Sequence, residues 1–114
     1  MIGSVTTTVG LPDVSAYSTT KTALAGLTRS LAIELGKYSI NVNCICPGFI
    51  KTVIFKRVRK KDPNRFKKII SRTPLNRFGE VEDIANVAGF LCSPQSSFIT
   101  GTLIPVDGGF HSSF

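Results

Sequence analysis

The segment "SAYSTTKTALAGLTRSLAIELGKYSINVNCICPG", residues 15–48, decides the fold class. Its first part is typical of an amphipathic helix, because leucines recur at steps of three and four: Leu24, Leu27, Leu31 and Leu35. Ser15 suits the N-cap of this helix, and Gly36 suits its C-terminal end. Residues 40–47 then alternate in polarity up to Pro47, which predicts a strand. A helix that leads into a strand indicates an α/β protein.

The rest of the chain extends this alternation of strands and helices. The expected elements are a strand end at 1–4, a loop at 5–14, a short helix at 62–70, a second helix from about Val81 with an apolar stripe (Ile84, Val87, Ala88, Leu91), a strand within 98–107 and a turn at 107–109. This order predicts a parallel sheet of three strands with about three helices. Three strands make a thin sheet, so we expect residues 1–114 to form a single partial domain.

The net charge of the chain is +7, and one segment carries all of the excess. Residues 51–72 hold ten basic residues and one acid, a net +9, whereas the other residues hold four basic and six acidic ones, a net −2. This local excess argues against nucleic acid as the main partner, since no recognised binding module accompanies it. No apolar run approaches the ~18 residues of a membrane span, so we expect no membrane association.

The three cysteines point to a reducing compartment. An odd number leaves one thiol unpaired in any disulfide scheme, and the Cys44-x-Cys46 spacing has no second pair of ligands to complete a metal site. We therefore predict three buried thiols, including Cys92, no metal site and a cytoplasmic location.

Tyr17 and Lys21 lie one helical turn apart, at the start of the expected helix. Residues at i and i+4 share a helix face. The lysine charge favours the tyrosinate, so it is expected to lower a tyrosine pKa that is normally near 10. Such a pair can exchange a proton with a carbonyl or alcohol oxygen. The spacing alone is common in helices, where it marks only a surface contact beside a solvated lysine.

Three further motifs surround this pair: Ser4 lies thirteen residues before Tyr17, Pro47-Gly48 lies thirty after it, and Asp107-Gly108-Gly109 closes the chain. In order and spacing the chain resembles the C-terminal half of a classical short-chain dehydrogenase/reductase, over nearly its whole length. The resemblance implies part of a Rossmann-like doubly wound sheet, and an NAD(P)-dependent oxidoreductase that interconverts a secondary alcohol and a ketone.

The resemblance also assigns roles to particular residues. Tyr17 matches the catalytic proton donor and acceptor, Lys21 the residue that tunes it and binds the nicotinamide ribose, and Ser4 the residue that holds the substrate oxygen. The implied cofactor-binding set is Tyr17, Lys21, Pro47, Gly48, Ile50 and Thr52. Within this set the backbone of Ile50 is expected to meet the nicotinamide carboxamide.

The first half of the family pattern is not found in this sequence. That half carries the glycine-rich turn for the pyrophosphate and the residue that separates NAD from NADP. We therefore expect the N-terminal half to be missing, with an isolated chain that is marginally stable and inactive. The alternative is a non-catalytic truncated product, or an interaction fragment that associates with full-length subunits.

The basic segment at about 51–72 corresponds to the family's variable substrate loop. A solvated lid is the simplest interpretation, contact with an anionic carrier-linked acyl substrate is another, and a role in binding nucleic acid or an acidic partner is the third. The substrate is otherwise expected to be a small-molecule alcohol or ketone, and the full-length parent a homo-oligomer. His111, near the C-terminus, is interpreted as a tail residue.

Overall fold

A computed structural model describes the backbone of residues 1–113 and every side chain in that range except those of residues 59 and 61. The elements are α1 (Ser15–Gly36), β1 (Cys44–Pro47), α2 (Val53–Lys61), α3 (Pro63–Ser71), α4 (Val81–Leu91) and β2 (Leu103–Val106), with three short 3-10 turns. No helix among the described residues is long and apolar enough to cross a membrane. The α/β class predicted from the sequence is confirmed.

The sheet has two strands in the described range, so the expectation of three was wrong. β1 and β2 pair in parallel, with Cys44 opposite Leu103. Where the third strand was expected, the chain forms only a single bridge between Ile2 and Ile45. Pairing stops there because the chain turns at Ser4 into a 3-10 helix at Val5–Thr7.

Residues 40–43 are not part of β1, although the alternation predicted a strand from Ile40. Side chains make most of the bonds between this stretch and residues 96–102, alongside one backbone bond in which the Gly101 N–H donates to the Val42 carbonyl at 2.8 Å. The Asn43 amide donates to the carbonyl of Ile99 at 2.8 Å, and the Val42 N–H donates to the Thr100 hydroxyl at 2.9 Å. These bonds fasten the loop before β2 instead of extending the sheet.

The bounds of α1 match the prediction, but its cap and its buried face do not. Val14 occupies the N-cap position without a side-chain bond, and Ser15 is already helical. The buried residues of α1 are small ones, Ala25, Thr28 and Ala32, rather than the leucines. Small side chains let the helix approach the neighbouring backbone closely, which leaves the larger leucines at the edges of the contact.

The basic segment is helical and carries much of the core. Residues 1–113 contain four α-helices rather than about three, because α2 forms where the sequence pattern was irregular. The Thr52 hydroxyl begins α2 by accepting a bond from the Phe55 N–H at 3.2 Å. The apolar residues at the start of α2 span only about one turn, which is too short to show a helical repeat in the sequence. The buried cluster includes side chains from α2, α3 and the loops: Val5, Phe55, Phe66, Ile69, Phe78 and Phe110.

The cysteine prediction was right for two residues of three. Cys44 and Cys46 are buried in β1, whereas Cys92 is exposed. Cys92 is the C-cap of α4, where the helix ends at the surface. The apolar stripe of α4 faces inward as predicted, although its residues are only half-buried.

Candidate active site

The first turns of α1 present Tyr17 and Lys21 on one face. Lys21 Nζ donates to the Ile2 carbonyl oxygen at 3.0 Å and lies 5.8 Å from the centre of the Tyr17 ring. Tyr17 is 48% exposed, so a small molecule can reach it. The lysine ammonium is therefore fixed beside the tyrosine by a bond to the adjoining edge of the sheet.

Ser4 stands where the Ile2 bridge gives way to the 3-10 turn. It is 7% exposed, and its Oγ accepts a bond from the Thr6 N–H at 3.2 Å. A serine hydroxyl that accepts from an N–H keeps its own proton for a second partner. Ser4 is therefore held in place while its O–H can still donate to a bound oxygen.

The loop after β1 carries the other predicted residues. The Gly48 N–H donates to the Val106 carbonyl at 3.0 Å, and a Cβ on Gly48 would stand only 2.6 Å from the Cβ of Asp107. Only glycine allows this close approach between the loop and the end of β2. The loop is thereby drawn tightly against the sheet.

Ile50 forms an isolated parallel bridge with Gly79. The bridge uses the Lys51 N–H, which donates to the Gly79 carbonyl at 2.8 Å, and the Phe49 carbonyl, which accepts from the Gly79 N–H at 3.0 Å. In a parallel bridge the central residue directs its own N–H and C=O to the opposite side. These two groups of Ile50 have no hydrogen-bond partner in the described part of the chain, so they can bind an amide ligand.

All the residues predicted as catalytic or cofactor-binding line one groove of about 540 Å³: Ser4, Tyr17, Lys21, Pro47, Gly48, Ile50 and Thr52. The opposite wall comes from α4, through Val81, Ile84 and Ala85. Sequence reasoning recognised Ile84 as apolar but did not place α4 beside the site, since the packing of distant segments has no local sequence signal.

A second cavity, of about 250 Å³, adjoins this groove and shares Ser4, Tyr17, Gly48 and Ile50 with it. Its remaining wall is mainly apolar and comes from the turn at residues 5–14 and from α2 and α3, with Phe55 and Phe66 among the lining side chains. Among the described residues, Arg65 is the charged one that lines it. Ser4 and Tyr17 thus lie at the junction of a groove and an apolar cavity.

The wall supplied by α4 is anchored by an ion pair. Arg77 binds Asp83 through two N–H···O contacts of 2.7 and 3.1 Å, and Asp83 also accepts from the Glu80 N–H at 2.8 Å. The bond from Arg77, followed by the Glu80 N–H, lowers the pKa of Asp83 to about 2. Asp83 is thus a capping carboxylate that stays charged at neutral pH.

Two other titratable groups, Cys46 and His111, line neither of the two cavities that contain Ser4. Burial, with a further contribution from the neighbouring Cys44, raises the pKa of Cys46, so that thiol stays protonated. His111 Nδ1 lies 2.9 Å from Asp107 Oδ2.

The sequence and the fold agree with known proteins over nearly the whole chain. A family model described as Enoyl-(Acyl carrier protein) reductase matches residues 1–111. A tropinone reductase homolog of Arabidopsis thaliana is 45% identical over 96% of this chain and 41% of its own length. Dehydrogenase/reductase SDR family member 4 of Bos taurus is 39% identical over 96% of this chain and 39% of its own length. The chain belongs to the short-chain dehydrogenase/reductase family.

Solved structures confirm the Rossmann-like fold. The TT0495 protein of Thermus thermophilus has a TM-score of 0.92 and 44% identity over 98% of this chain and 47% of its own. A candidate 2-deoxy-D-gluconate 3-dehydrogenase of Agrobacterium tumefaciens, solved with bound NADP, has a TM-score of 0.92 and 39% identity over 97% of this chain and 45% of its own. The chain thus spans about two fifths of the curated relatives and just under half of these solved chains.

Proposed function

We propose that this chain forms the catalytic part of an NAD(P)-dependent oxidoreductase that interconverts a secondary alcohol and a ketone. The observation that carries the proposal is the position of Ser4 and Tyr17, at the junction of the predicted cofactor groove and an apolar cavity. The cavity suits the carbon skeleton of a small substrate. The reacting oxygen would then lie against the two hydroxyl groups.

The residues of the groove fit a nicotinamide cofactor. The unpaired N–H and C=O of Ile50 complement the acceptor and donor of a carboxamide, and the ammonium of Lys21 can donate to ribose hydroxyls. Pro47, Gly48 and Thr52 would line the same ligand. When bound, NAD or NADP supplies or accepts the hydride.

The protein's own part in the reaction is to hold the substrate and to move a proton. In reduction the Tyr17 hydroxyl donates its proton to the carbonyl oxygen of the substrate. In oxidation the phenolate oxygen of Tyr17 takes a proton from the alcohol. Ser4 donates a hydrogen bond to the substrate oxygen and keeps it beside Tyr17. The charge of Lys21 stabilises the phenolate that remains after the transfer.

The substrate is a small alcohol or ketone, or an acyl group linked to a carrier. The basic helices α2 and α3 support the second option, since their exposed lysines and arginines can meet a carrier phosphate. We also propose a cytoplasmic location and a homo-oligomeric full-length protein. The exposed aliphatic side chains of α1, including Leu27 and Ile33, support a subunit contact.

Residues 1–114 are proposed to be inactive and marginally stable alone, since no glycine-rich pyrophosphate motif occurs in them. A second candidate is a non-catalytic fragment that associates with full-length subunits. It is favoured by exposed apolar side chains such as Ile33 and the fully exposed Phe98. An isolated chain that reduces ketones with NADPH at an ordinary rate would contradict the proposed inactivity.

A hybrid protein tests the catalytic proposal. The N-terminal part of the Thermus thermophilus TT0495 protein is joined to Met1 of this chain, and ketone reduction is assayed with NADH and NADPH. Tyr17→Phe is expected to lower kcat by about 10²–10⁴-fold, the usual effect of a lost general acid. Tyr38→Phe is the matched control, because Tyr38 is the second of the two tyrosines and is exposed. A folded hybrid without Tyr17-dependent activity would favour the non-catalytic alternative.

A further inference from the structure

Arg65 is the one charged residue among the fourteen described residues that line the cavity shared by Ser4 and Tyr17. Nine of the fourteen are apolar, so the cavity wall offers few other strong polar partners. Arg65 lies in the first turn of α3 and is half-buried. A guanidinium beside an apolar cavity loses part of its hydration, and this loss is offset best by a bound anion.

The guanidinium of Arg65 is not committed to a protein carboxylate. The backbone N–H of Arg65 donates to Asp62 Oδ1 at 2.9 Å as part of the helix cap. The ion pairs within 4.0 Å among the described residues join other groups: Lys51–Glu80, Arg77–Asp83 and His111–Asp107. The planar fork of Arg65 thus remains available for a ligand.

A neighbouring cavity of about 440 Å³ continues from the first and shares Leu11, Phe49, Arg65 and Ile69 with it. Lys68 and Arg72 add two more cations on that side, and Asp13 and Asp62 add two carboxylates. Arg72 is engaged by the Phe110 ring, whose centre lies 5.0 Å from the guanidinium carbon. Arg65 therefore lies where the apolar cavity opens into a polar one, whose described lining holds three cations and two carboxylates.

We propose that the substrate of this site carries a carboxylate, and that Arg65 binds it while Ser4 and Tyr17 hold the reacting oxygen. The substrate class is then a hydroxy acid and the matching oxo acid. A guanidinium matches a carboxylate with two parallel N–H···O bonds, which fixes orientation as well as affinity. The inference rests on the proposed function for the position of the reacting oxygen, and it adds the chemistry of the distal end.

The test measures binding by calorimetry on the 114-residue chain, so it does not depend on turnover. The probes are 4-oxopentanoate, 5-oxohexanoate and 6-oxoheptanoate, each paired with its neutral carboxamide of the same shape. For at least one length the acid is expected to bind roughly tenfold or more tightly than its amide, as for hydrogen bonds between charged groups. Arg65→Gln should bring that ratio to about one, and Arg65→Lys should retain part of it.

Lys67→Gln is the matched control, because Lys67 lies on the same helix, is exposed and lines neither cavity. Circular dichroism checks that each variant keeps its helices. The inference is overturned if no acid binds, if acids and amides bind alike, if Arg65→Gln keeps the preference, or if Lys67→Gln removes it equally. If the proposed oxidoreductase function fails while this inference holds, the activity of the hybrid protein will not depend on Tyr17. The preference for acids over amides in calorimetry will nevertheless remain.

Discussion

Lys21 Nζ donates to the carbonyl oxygen of Ile2 at 3.0 Å, and this bond joins the helix of Tyr17 to the chain that leads into Ser4. A longer contact from the Thr28 hydroxyl to the Met1 sulfur, at 4.0 Å, also links α1 to this edge. The Lys21 ammonium lies 5.8 Å from the centre of the Tyr17 ring. One side chain thus serves the geometry of the site and its electrostatics.

Lys21→Met should lower the kcat of the hybrid protein by roughly a hundredfold or more, as expected when proton transfer is impaired. The methionine keeps much of the length but removes the charge and the bond to Ile2. Lys37→Met is a matched control, because Lys37 lies 5.0 Å from the Tyr38 ring centre and outside the groove. Steady-state kinetics give the kcat of both variants. Equal values for Lys21→Met and Lys37→Met would contradict the proposed role of Lys21.

Gly48→Ala should lower the free energy of unfolding by about 1–3 kcal/mol, the usual cost of overpacking. The new Cβ would stand 2.6 Å from the Cβ of Asp107 and 2.7 Å from its Cα, so the loop must move away from β2. Gly26→Ala is the control, since nothing lies within 4 Å of its Cβ position. Within α1 that change should stabilise by about 0.5–1 kcal/mol. Urea denaturation gives both values, and a stabilised Gly48→Ala would refute the close approach.

The residues of the groove were predicted from the family resemblance, which rests on the order and spacing of several short motifs along the chain. The spacing of Tyr17 and Lys21 alone is common in helices, and the roles of Ser4, Pro47, Gly48, Ile50 and Thr52 came only from the resemblance. The Ile84 wall and Arg65 were not assigned to the site. They reach it only through the packing of α4 and α3, which depends on contacts between distant segments.

The secondary structure shows the same division between local and distant causes. The bounds of α1 and the inward stripe of α4 follow from local periodicity, and both predictions were right. The leucines form the apolar repeat of α1, yet its buried residues are Ala25, Thr28 and Ala32. Which residues of α1 are buried depends on how closely the helix approaches the neighbouring backbone. The helical repeat in the sequence gives no information about this distance.

Acid should destabilise the wild-type protein more than Asp83→Asn. The pKa of Asp83 is lowered from 3.8 to about 2 by the bond from Arg77, followed by the Glu80 N–H. A lowered pKa means that this contribution is fully present above about pH 4 and is lost as the pH falls toward 2. Asp83→Asn should lower the Tm at pH 6 and show a smaller further fall at pH 2.5. Glu82→Gln, a change in the same turn of α4, is the control. If the Tm of Asp83→Asn and that of the wild type fall alike with pH, the ion pair is not the cause of the acid sensitivity.

Thr6→Val should raise the free energy of unfolding by about 1 kcal/mol, because a buried hydroxyl without a partner carries a desolvation cost that a methyl group does not. Thr6 is buried, and its Oγ1 has no hydrogen-bond partner in the described structure. Thr73→Val is the opposite case, since the equally buried Thr73 hydroxyl donates to the Ile69 carbonyl at 2.8 Å. Loss of this hydrogen bond should lower the free energy of unfolding by about 1 kcal/mol. Denaturant unfolding of the two variants should therefore move in opposite directions. A destabilised Thr6→Val would mean that the hydroxyl finds a partner in solution, and the cavity beside Ser4 would then be the place to look for it.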